Sequence, residues 1–261
     1  MINFMVANAN RKNSRYTFEK ITTLLNAQIE NSLECGWKSE DICVLANFDY
    51  TFMDVSTINI SGLPDFCLTG SKMFGLKWYT KILNKSDDAF VVWSHDLDAW
   101  QNAPFDEPKI KDVGIARYSN DKFNGGSAFW KLPSSKDIIQ RITQVLVDEK
   151  AAKEEPTLNK VLKTEFKERI TVIDNTFNVG CSGYVVRLSR SEKPLKVCHF
   201  HPYNRIAWET HALDRNQINE IGVTVRLERL LRKYYPELAT QLSMTVEDRA
   251  LKREKFEQYI Q

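Results

Sequence analysis

The chain has 261 residues, 36 basic against 34 acidic, and a formal net charge of +2 at pH 7, so its overall charge exerts no strong pull on nucleic acid and any such affinity must come from a local patch. Five cysteines, Cys35, Cys43, Cys67, Cys181 and Cys198, are odd in number and lack C-x-x-C spacing, which argues against a disulfide framework and a thiolate zinc site. The length suits one sizeable core with a small appendage; with no apolar run near the ~18 residues that span a bilayer, and no basic leader before an apolar stretch in residues 1–12, a soluble cytoplasmic protein with reduced thiols is expected.

Ile2 to Ala7 reads as a brief apolar strand that breaks into a polar loop, Asn8 to Ser14, with two cations, Arg11 and Lys12. Phe18, Ile21, Leu25, Ile29 and Leu33 then recur at helical spacing, with Ser14 or Asn13 available as cap and Gly36 as stop. Asp41 to Ala46 is a second buried strand. Strand, helix and strand at this spacing make a βαβ unit, whose ligands bind where the strands' carboxyl ends open into loops. Ala7, Asn8, Asn10, Arg11 and Tyr16 therefore fall beside a ligand crevice, although an Asn-rich turn also forms without any ligand. Residues 49–69 read as irregular, with Gly62 and Pro64 as breakers. Gly70, Ser71 and Lys72 open a helix with Phe74, Trp78, Ile82 and Leu83 on its apolar face; Lys72 either reaches a phosphate or is an ordinary solvated lysine.

That helix leads into AFVVWSHDLDAWQ, residues 89–101. Ala89 to Trp93 has the brevity and the β-branched and aromatic content of a strand buried on both faces. If the backbone stays extended beyond it, Asp96 and Asp98 point the same way, and two carboxylates at one place repel unless a cation lies between them. A hard divalent ion such as Mn²⁺ or Mg²⁺ suits such oxygen ligands and is commonly shared with substrate phosphates. Acidic pairs also simply cap strand ends. A rival chemistry, phosphoryl transfer by an aspartate nucleophile, wants a hydroxyl residue two positions after the second aspartate, where this chain has Trp100.

Further along, Val113 to Tyr118 reads as a strand, and Phe123, Asn124, Gly125, Gly126 lead into the apolar Ser127 to Trp130, paired glycines that let a backbone or ligand approach closely. Ile138, Ile139, Ile142, Val145 and Leu146 define an amphipathic helix. Glu154, Glu155 and Pro156 start another, where proline and carboxylates are favoured on structural grounds alone. Ile170 to Ile173 is a strand, followed by a second Asn- and Gly-bearing loop with Asn178 and Gly180. Lys196 to His199 reads as a strand ending in an imidazole, with His201 just beyond; such a histidine either completes a cation's shell through a neutral ring nitrogen or is an ordinary hydrogen-bonded core residue. Residues 216–261 look helical, with Arg226, Arg229, Arg232 and Lys233 on one helix, Arg249, Lys252, Arg253 and Lys255 on another, and Thr245 and Asp248 spaced as a capping box.

The order of these pieces resembles the nucleotide-sugar glycosyltransferases of the GT-A fold, most closely the glycogenin-like retaining group. The likeness covers about residues 1–205 as motif order: a βαβ start, a basic-headed helix feeding a strand that ends in D-x-D around His95, Asp96 and Asp98, the Phe-Asn-Gly-Gly loop, the acidic helix start, the Asn-x-Gly loop and the His-Phe strand end. It implies an α/β fold, a mixed sheet flanked by helices over residues 1–215, with a helical C-terminal extension over 216–261. It also implies Asp96, Asp98 and His199 as ligands of Mn²⁺ or Mg²⁺, with His201 competing for the late histidine's role because the family's glycine after His-Phe-x is absent. Ala7, Asn8, Asn10, Arg11, Tyr16, Lys72 and His95 become candidates for the nucleotide and diphosphate, UDP being the expected base carrier. Asn124, Gly125 and Gly126 match the strand lining the sugar pocket, and Asn178, Gly180 and His201 join the nucleotide-sugar-binding candidates. Asn124, Glu154 and Glu155 join the aspartates as candidate catalytic groups, though the family's glutamine is missing at the glutamate pair.

The implied activity is transfer of a hexosyl or pentosyl group to a hydroxyl. Two acceptors are expected: hydroxymethylated pyrimidine in double-stranded DNA, as in bacteriophage base glycosylation, for which the basic, tyrosine-bearing C-terminal helices would be the platform, or a glycan or lipopolysaccharide. A binding protein with a vestigial site and a metal-dependent phosphatase or nuclease are the readings outside the class; phosphate release without sugar transfer would mark the latter.

Overall fold

A computed structural model describes residues 1–10, 12–13, 16–83, 89–119, 122–180, 191–192, 194–199 and 225–236. In chain order the elements are β1 (Ile2–Ala7), α1 (Phe18–Glu34), β2 (Ile42–Ala46), β3 (Thr51–Phe52), β4 (Val55–Asn59), α2 (Ser71–Ile82), β5 (Phe90–His95), β6 (Ala99–Gln101), β7 (Val113–Ser119), β8 (Lys122–Leu132), α3 (Lys136–Asp148), α4 (Glu154–Thr164), β9 (Ile170–Ile173), β10 (Val179–Gly180), β11 (Val197–His199) and α5 (Val225–Tyr234). Among the described residues the main sheet runs β3-β4-β2-β1-β5-β8-β7-β9, and a small second sheet runs β10-β11-β6.

The sheet is mixed. β1 pairs parallel with β2 and β5, whereas β5 and β8 run antiparallel. Helices cover both faces, and the alternation of side chains along β1 shows how one short run feeds both layers. Met5 and Ala7 pack in the cluster with Leu25 and Ile29 of α1 and Leu227, Leu230 and Leu231 of α5. Phe4 points the other way, into the cluster with Met73 and Leu76 of α2, Ile139 and Ile142 of α3 and Leu158 of α4. An apolar run without alternation is what a strand sandwiched between two helical layers requires.

Three local expectations change. The N-cap of α1 is Thr17, whose hydroxyl accepts from the Lys20 N–H at 3.4 Å, not Asn13 or Ser14. Residues 49–69 are not wholly irregular, since β3 and β4 form a hairpin and β4 extends the sheet parallel to β2. The chain does not stay extended through the aspartates: it turns there, the Ala99 N–H donating to the Asp96 carbonyl at 3.0 Å. Gly36 does stop α1, in the left-handed conformation with φ +92°. The expected capping box at Thr245 and the cations from Arg249 to Lys255 lie outside the described residues.

Candidate active site

The site forms at the carboxyl end of β5, where the sheet meets the small three-stranded sheet. The Asp96 N–H donates to the Gly126 carbonyl at 2.9 Å, tying the start of the aspartate turn to β8. The turn hands the chain to β6, which pairs antiparallel with β11 in a register that sets His199 opposite Ala99. A residue about one hundred positions downstream thus arrives next to Asp98. The His199 Nε2 lies 3.3 Å from Asp98 Oδ1 and 3.6 Å from Asp96 Oδ2, and one ligand atom from each of the three residues falls within 4.8 Å of the others.

The other ring nitrogen decides how His199 can act. Its Nδ1 lies 3.2 Å from Asn178 Oδ1, and the Asn178 amide is oriented by its own NH₂ donating to the Asn124 carbonyl and Asn124 Oδ1 at 3.1 and 2.9 Å. Asn124 Oδ1 also accepts from the Gly126 N–H at 2.8 Å. This network assigns one proton to Nδ1 and turns Nε2 toward the carboxylates, the ring orientation in which Nε2 becomes a metal ligand once a cation displaces its proton. Gly126 is required by packing: a Cβ there would sit 2.1 Å from His199 Cε1. Gly180 is the parallel partner of His199 in β10.

Burial alone would lower the His199 pKa, but the Asp98 charge and hydrogen bond, with the Asp96 charge, outweigh it and hold it above the usual imidazole value. The cluster therefore calls for positive charge. Two carboxylate oxygens and one neutral imidazole nitrogen are a fitting donor set for Mn²⁺ or Mg²⁺, with room on such ions for further oxygen ligands.

Lys72, from the first turn of α2, is 5% exposed. Its Nζ donates to Asp96 Oδ1 at 2.7 Å and to the Gly125 carbonyl. Desolvation opposes its charge, yet the carboxylates of Asp96, Glu154 and Asp98 hold its pKa above the ordinary lysine value. It is a buried cation of the site, not a solvated lysine. Glu154, the first residue of α4, is also 5% exposed; its Oε1 has no hydrogen-bond partner among the described residues and would lie 3.1 Å from a Cβ on Gly125. Burial, foremost, raises its pKa to about 7 against the pull of Lys72. Glu155 is half-buried beside it.

The remaining candidates divide. Ala7 ends β1 in the core. Asn8 is buried and donates to Ser71 Oγ at 2.7 Å and the Pro64 carbonyl at 3.2 Å, binding the first loop to the start of α2. Asn10 closes its own turn, its Oδ1 accepting from the Lys12 N–H at 2.9 Å and its N–H donating to the Tyr16 carbonyl at 2.6 Å; Tyr16 packs partly against the α1 core. His95 faces inward, stacked on Trp93 with centroids 4.0 Å apart, its ring nitrogens against the Asn3 amide and the Asp96 carbonyl, and burial pushes its pKa down to about 3. It is not gathered with the Asp96, Asp98 and His199 side chains. Arg11 and His201 lie outside the described residues. One residue absent from the sequence reading is Gln28, whose Nε2 donates to the Leu97 and Ala99 carbonyls on either side of Asp98. Its signal was available, since position 28 stands three residues after Leu25 on the apolar face of α1.

No protein-family model matches the chain, and no curated protein matches its sequence. Solved structures do match in shape. The galactosyltransferase LgtC, in complex with donor and acceptor sugar analogs, is 12% identical over 95% of this chain and 98% of that one, with a TM-score of 0.52. An active-site mutant of LgtC is 13% identical over the same shares, with a TM-score of 0.54. The fold is that of the GT-A glycosyltransferases. The glycosyltransferase GlyE of Streptococcus pneumoniae TIGR4 is 11% identical over 91% of this chain and 64% of that one, with a TM-score of 0.50. None of the described helices is long and apolar enough to cross a membrane.

Proposed function

We propose that this chain is a metal-dependent glycosyltransferase, moving a hexosyl or pentosyl group from a nucleoside-diphosphate donor, a UDP-sugar, to a hydroxyl acceptor with retention of configuration. The observation that carries the reading is the convergence of Asp96, Asp98 and His199 at the carboxyl end of a GT-A sheet. Asp96, Asp98 and the His199 Nε2 would hold Mn²⁺ or Mg²⁺, which when bound supplies Lewis-acid stabilisation of a departing diphosphate. The chain's own groups do the rest. Lys72, fixed between Asp96 and the Gly125 carbonyl, supplies a preorganised positive charge beside the leaving group. Gly125 and Gly126 keep the pocket floor free of side chains, and Glu154 presents an unpaired carboxyl oxygen where a sugar hydroxyl would be recognised. Asn178, accepting from Nδ1–H of His199, keeps the ring turned so that Nε2 faces the two carboxylates, where a bound cation would take the place of its proton.

A glycan hydroxyl is the acceptor proposed, in line with the acceptor sugar analog bound by the similarly folded LgtC. Of the basic helices on which the DNA reading rests, the described one, α5, pairs Arg226 and Arg229 with Glu34 at 3.2 and 2.6 Å and Lys233 with Glu30 at 2.7 Å, which takes part of its charge away from a duplex; Arg249 to Lys255 lie outside the described residues. Duplex binding that falls steeply with ionic strength would restore the DNA acceptor. The phosphatase reading is disfavoured because Trp100, at the position that would need a hydroxyl, is fully buried in β6. The decisive test is Asp98→Asn assayed for hydrolysis or transfer from a panel of sugar nucleotides chosen by thermal shift with and without Mn²⁺. Turnover should fall by about 10²-fold or more while the fold persists; a near-normal rate with unchanged metal dependence contradicts the assignment.

A further inference from the structure

The turn that carries the two aspartates has one edge paired and the other covered by side chains. Strand β6 uses the peptide groups of its even-numbered residues toward β11, as the Asn102 N–H donating to the Lys196 carbonyl at 2.7 Å shows just beyond its end. The carbonyls of Ala99 and Gln101 point to the opposite edge, because alternate carbonyls along an extended chain face opposite ways, and the turn before β6 presents the Leu97 carbonyl on the same side. No strand lies on that edge among the described residues. Helix α1 does, and it supplies Gln28, whose Nε2 donates to the Leu97 carbonyl at 2.9 Å and the Ala99 carbonyl at 3.1 Å. Arg226 of α5 continues the row, donating to the Gln101 carbonyl at 2.9 Å while its other nitrogen holds Asn31 Oδ1 at 2.8 Å.

Gln28 is fully buried, and its Oε1 has no partner among the described residues. Burying an amide oxygen unpaired is unfavourable, and a leucine or methionine would suit this face of α1 better for packing alone. What the amide does there is hold the peptide between Asp96 and Asp98.

We propose that Gln28, with Arg226 behind it, is a positioning device for the metal centre: a side-chain substitute for a missing β-strand that fixes the Asp96–Asp98 turn at the spacing His199 completes. The inference rests on the metal-dependent reading above. It gives the docked C-terminal helix a link to the centre, since α5 reaches the same stretch of backbone that carries Asp98. Partners one shell outside a metal's ligands commonly change its affinity by about 10- to 100-fold.

The test is Mn²⁺ binding to the full-length protein, followed by the EPR signal of free Mn²⁺, with and without UDP. Gln28→Met keeps the side chain's length and removes its donor; it should weaken Mn²⁺ binding by about tenfold or more. Arg226→Met, at a partly exposed site and one step further from Asp98, should weaken it less. Leu25→Val on the same helix serves as the comparison for lost stability, and should leave the affinity unchanged. Loss of affinity in Gln28→Met without loss in Leu25→Val supports the device. Wild-type affinity in Gln28→Met overturns it and leaves the metal assignment standing, provided Asp98→Asn still abolishes binding. Equal weakening in Gln28→Met and Leu25→Val also overturns it, as the effect would then follow stability alone. If wild type fails to bind Mn²⁺ even with UDP, the metal reading and this proposal fall together. Should Gln28→Met not fold, Arg226→Met decides: unchanged affinity there overturns the coupling.

Discussion

Glu154 enters the chain as the first residue of α4, where the helix dipole favours a carboxylate and nothing more need be read into it. Its burial changes the matter. Desolvation, opposed by the charge of Lys72 and helped by those of Asp96 and Glu155, lifts its pKa to about 7, so in the folded chain it keeps a proton that the unfolded chain releases near the ordinary glutamate value of about 4.3. Native Glu154 thus binds more protons than unfolded Glu154 between those values, and its contribution to stability is present at low pH and lost as pH rises through about 7. Glu154→Gln removes the titration: at pH 8 it should melt above wild type by roughly 2–4 °C, about 1 kcal/mol for a chain of this size, with the gap closing toward pH 4–5. A gap independent of pH would contradict this account. Sequence placed Glu154 at a helix start and left Lys72 open between a phosphate contact and solvent. Neither pattern encodes burial, which comes from α2, α4 and β8 closing around the two side chains.

At the scale of elements, periodic patterns were legible and short irregular pairings were not. The apolar spacing of α1 and α3, and the unbroken run of β5, follow from having one face or both faces against other layers. The β3-β4 hairpin escaped because its turn carries no customary signal. Met53 and Asp54 both take positive φ, 48° and 62°, a conformation for which Asn-Gly is the usual sequence. Met53→Asn with Asp54→Gly should therefore stabilise the protein by roughly 1 kcal/mol through relief of the left-handed backbone, read as a higher urea midpoint with unchanged m-value; a lower midpoint would show that these side chains make contacts worth more than the strain. Strand β6 escaped for another reason. Three residues are too few for a pattern, and its partner β11 lies far away in sequence.

Across the whole molecule, α5 is the element whose role differs most from its appearance in the sequence. Its cations read as a solvated helical face or as a surface for phosphates, yet Arg226, Arg229 and Lys233 meet Glu34 and Glu30 of α1, while Leu227, Leu230, Leu231 and Tyr235 are buried in the cluster shared with β1 and α1. Truncating Leu231 to alanine should cost about 2–5 kcal/mol in a single denaturant transition that includes α1. A separate early transition would mean that α5 is an appendage. The amino-acid sequence by itself determined the α/β layering, the strand that ends at the aspartates and the aspartate pair as candidate ligands, because hydrophobic periodicity and residue chemistry are local properties. Only the tertiary structure decided that the aspartates meet across a turn, that His199 joins them through the register of β6 with β11, and that Gln28 and Lys72 close around them. Those relations depend on which segments pair and at what register, and pairing between residues a hundred positions apart leaves no trace in the local pattern of either.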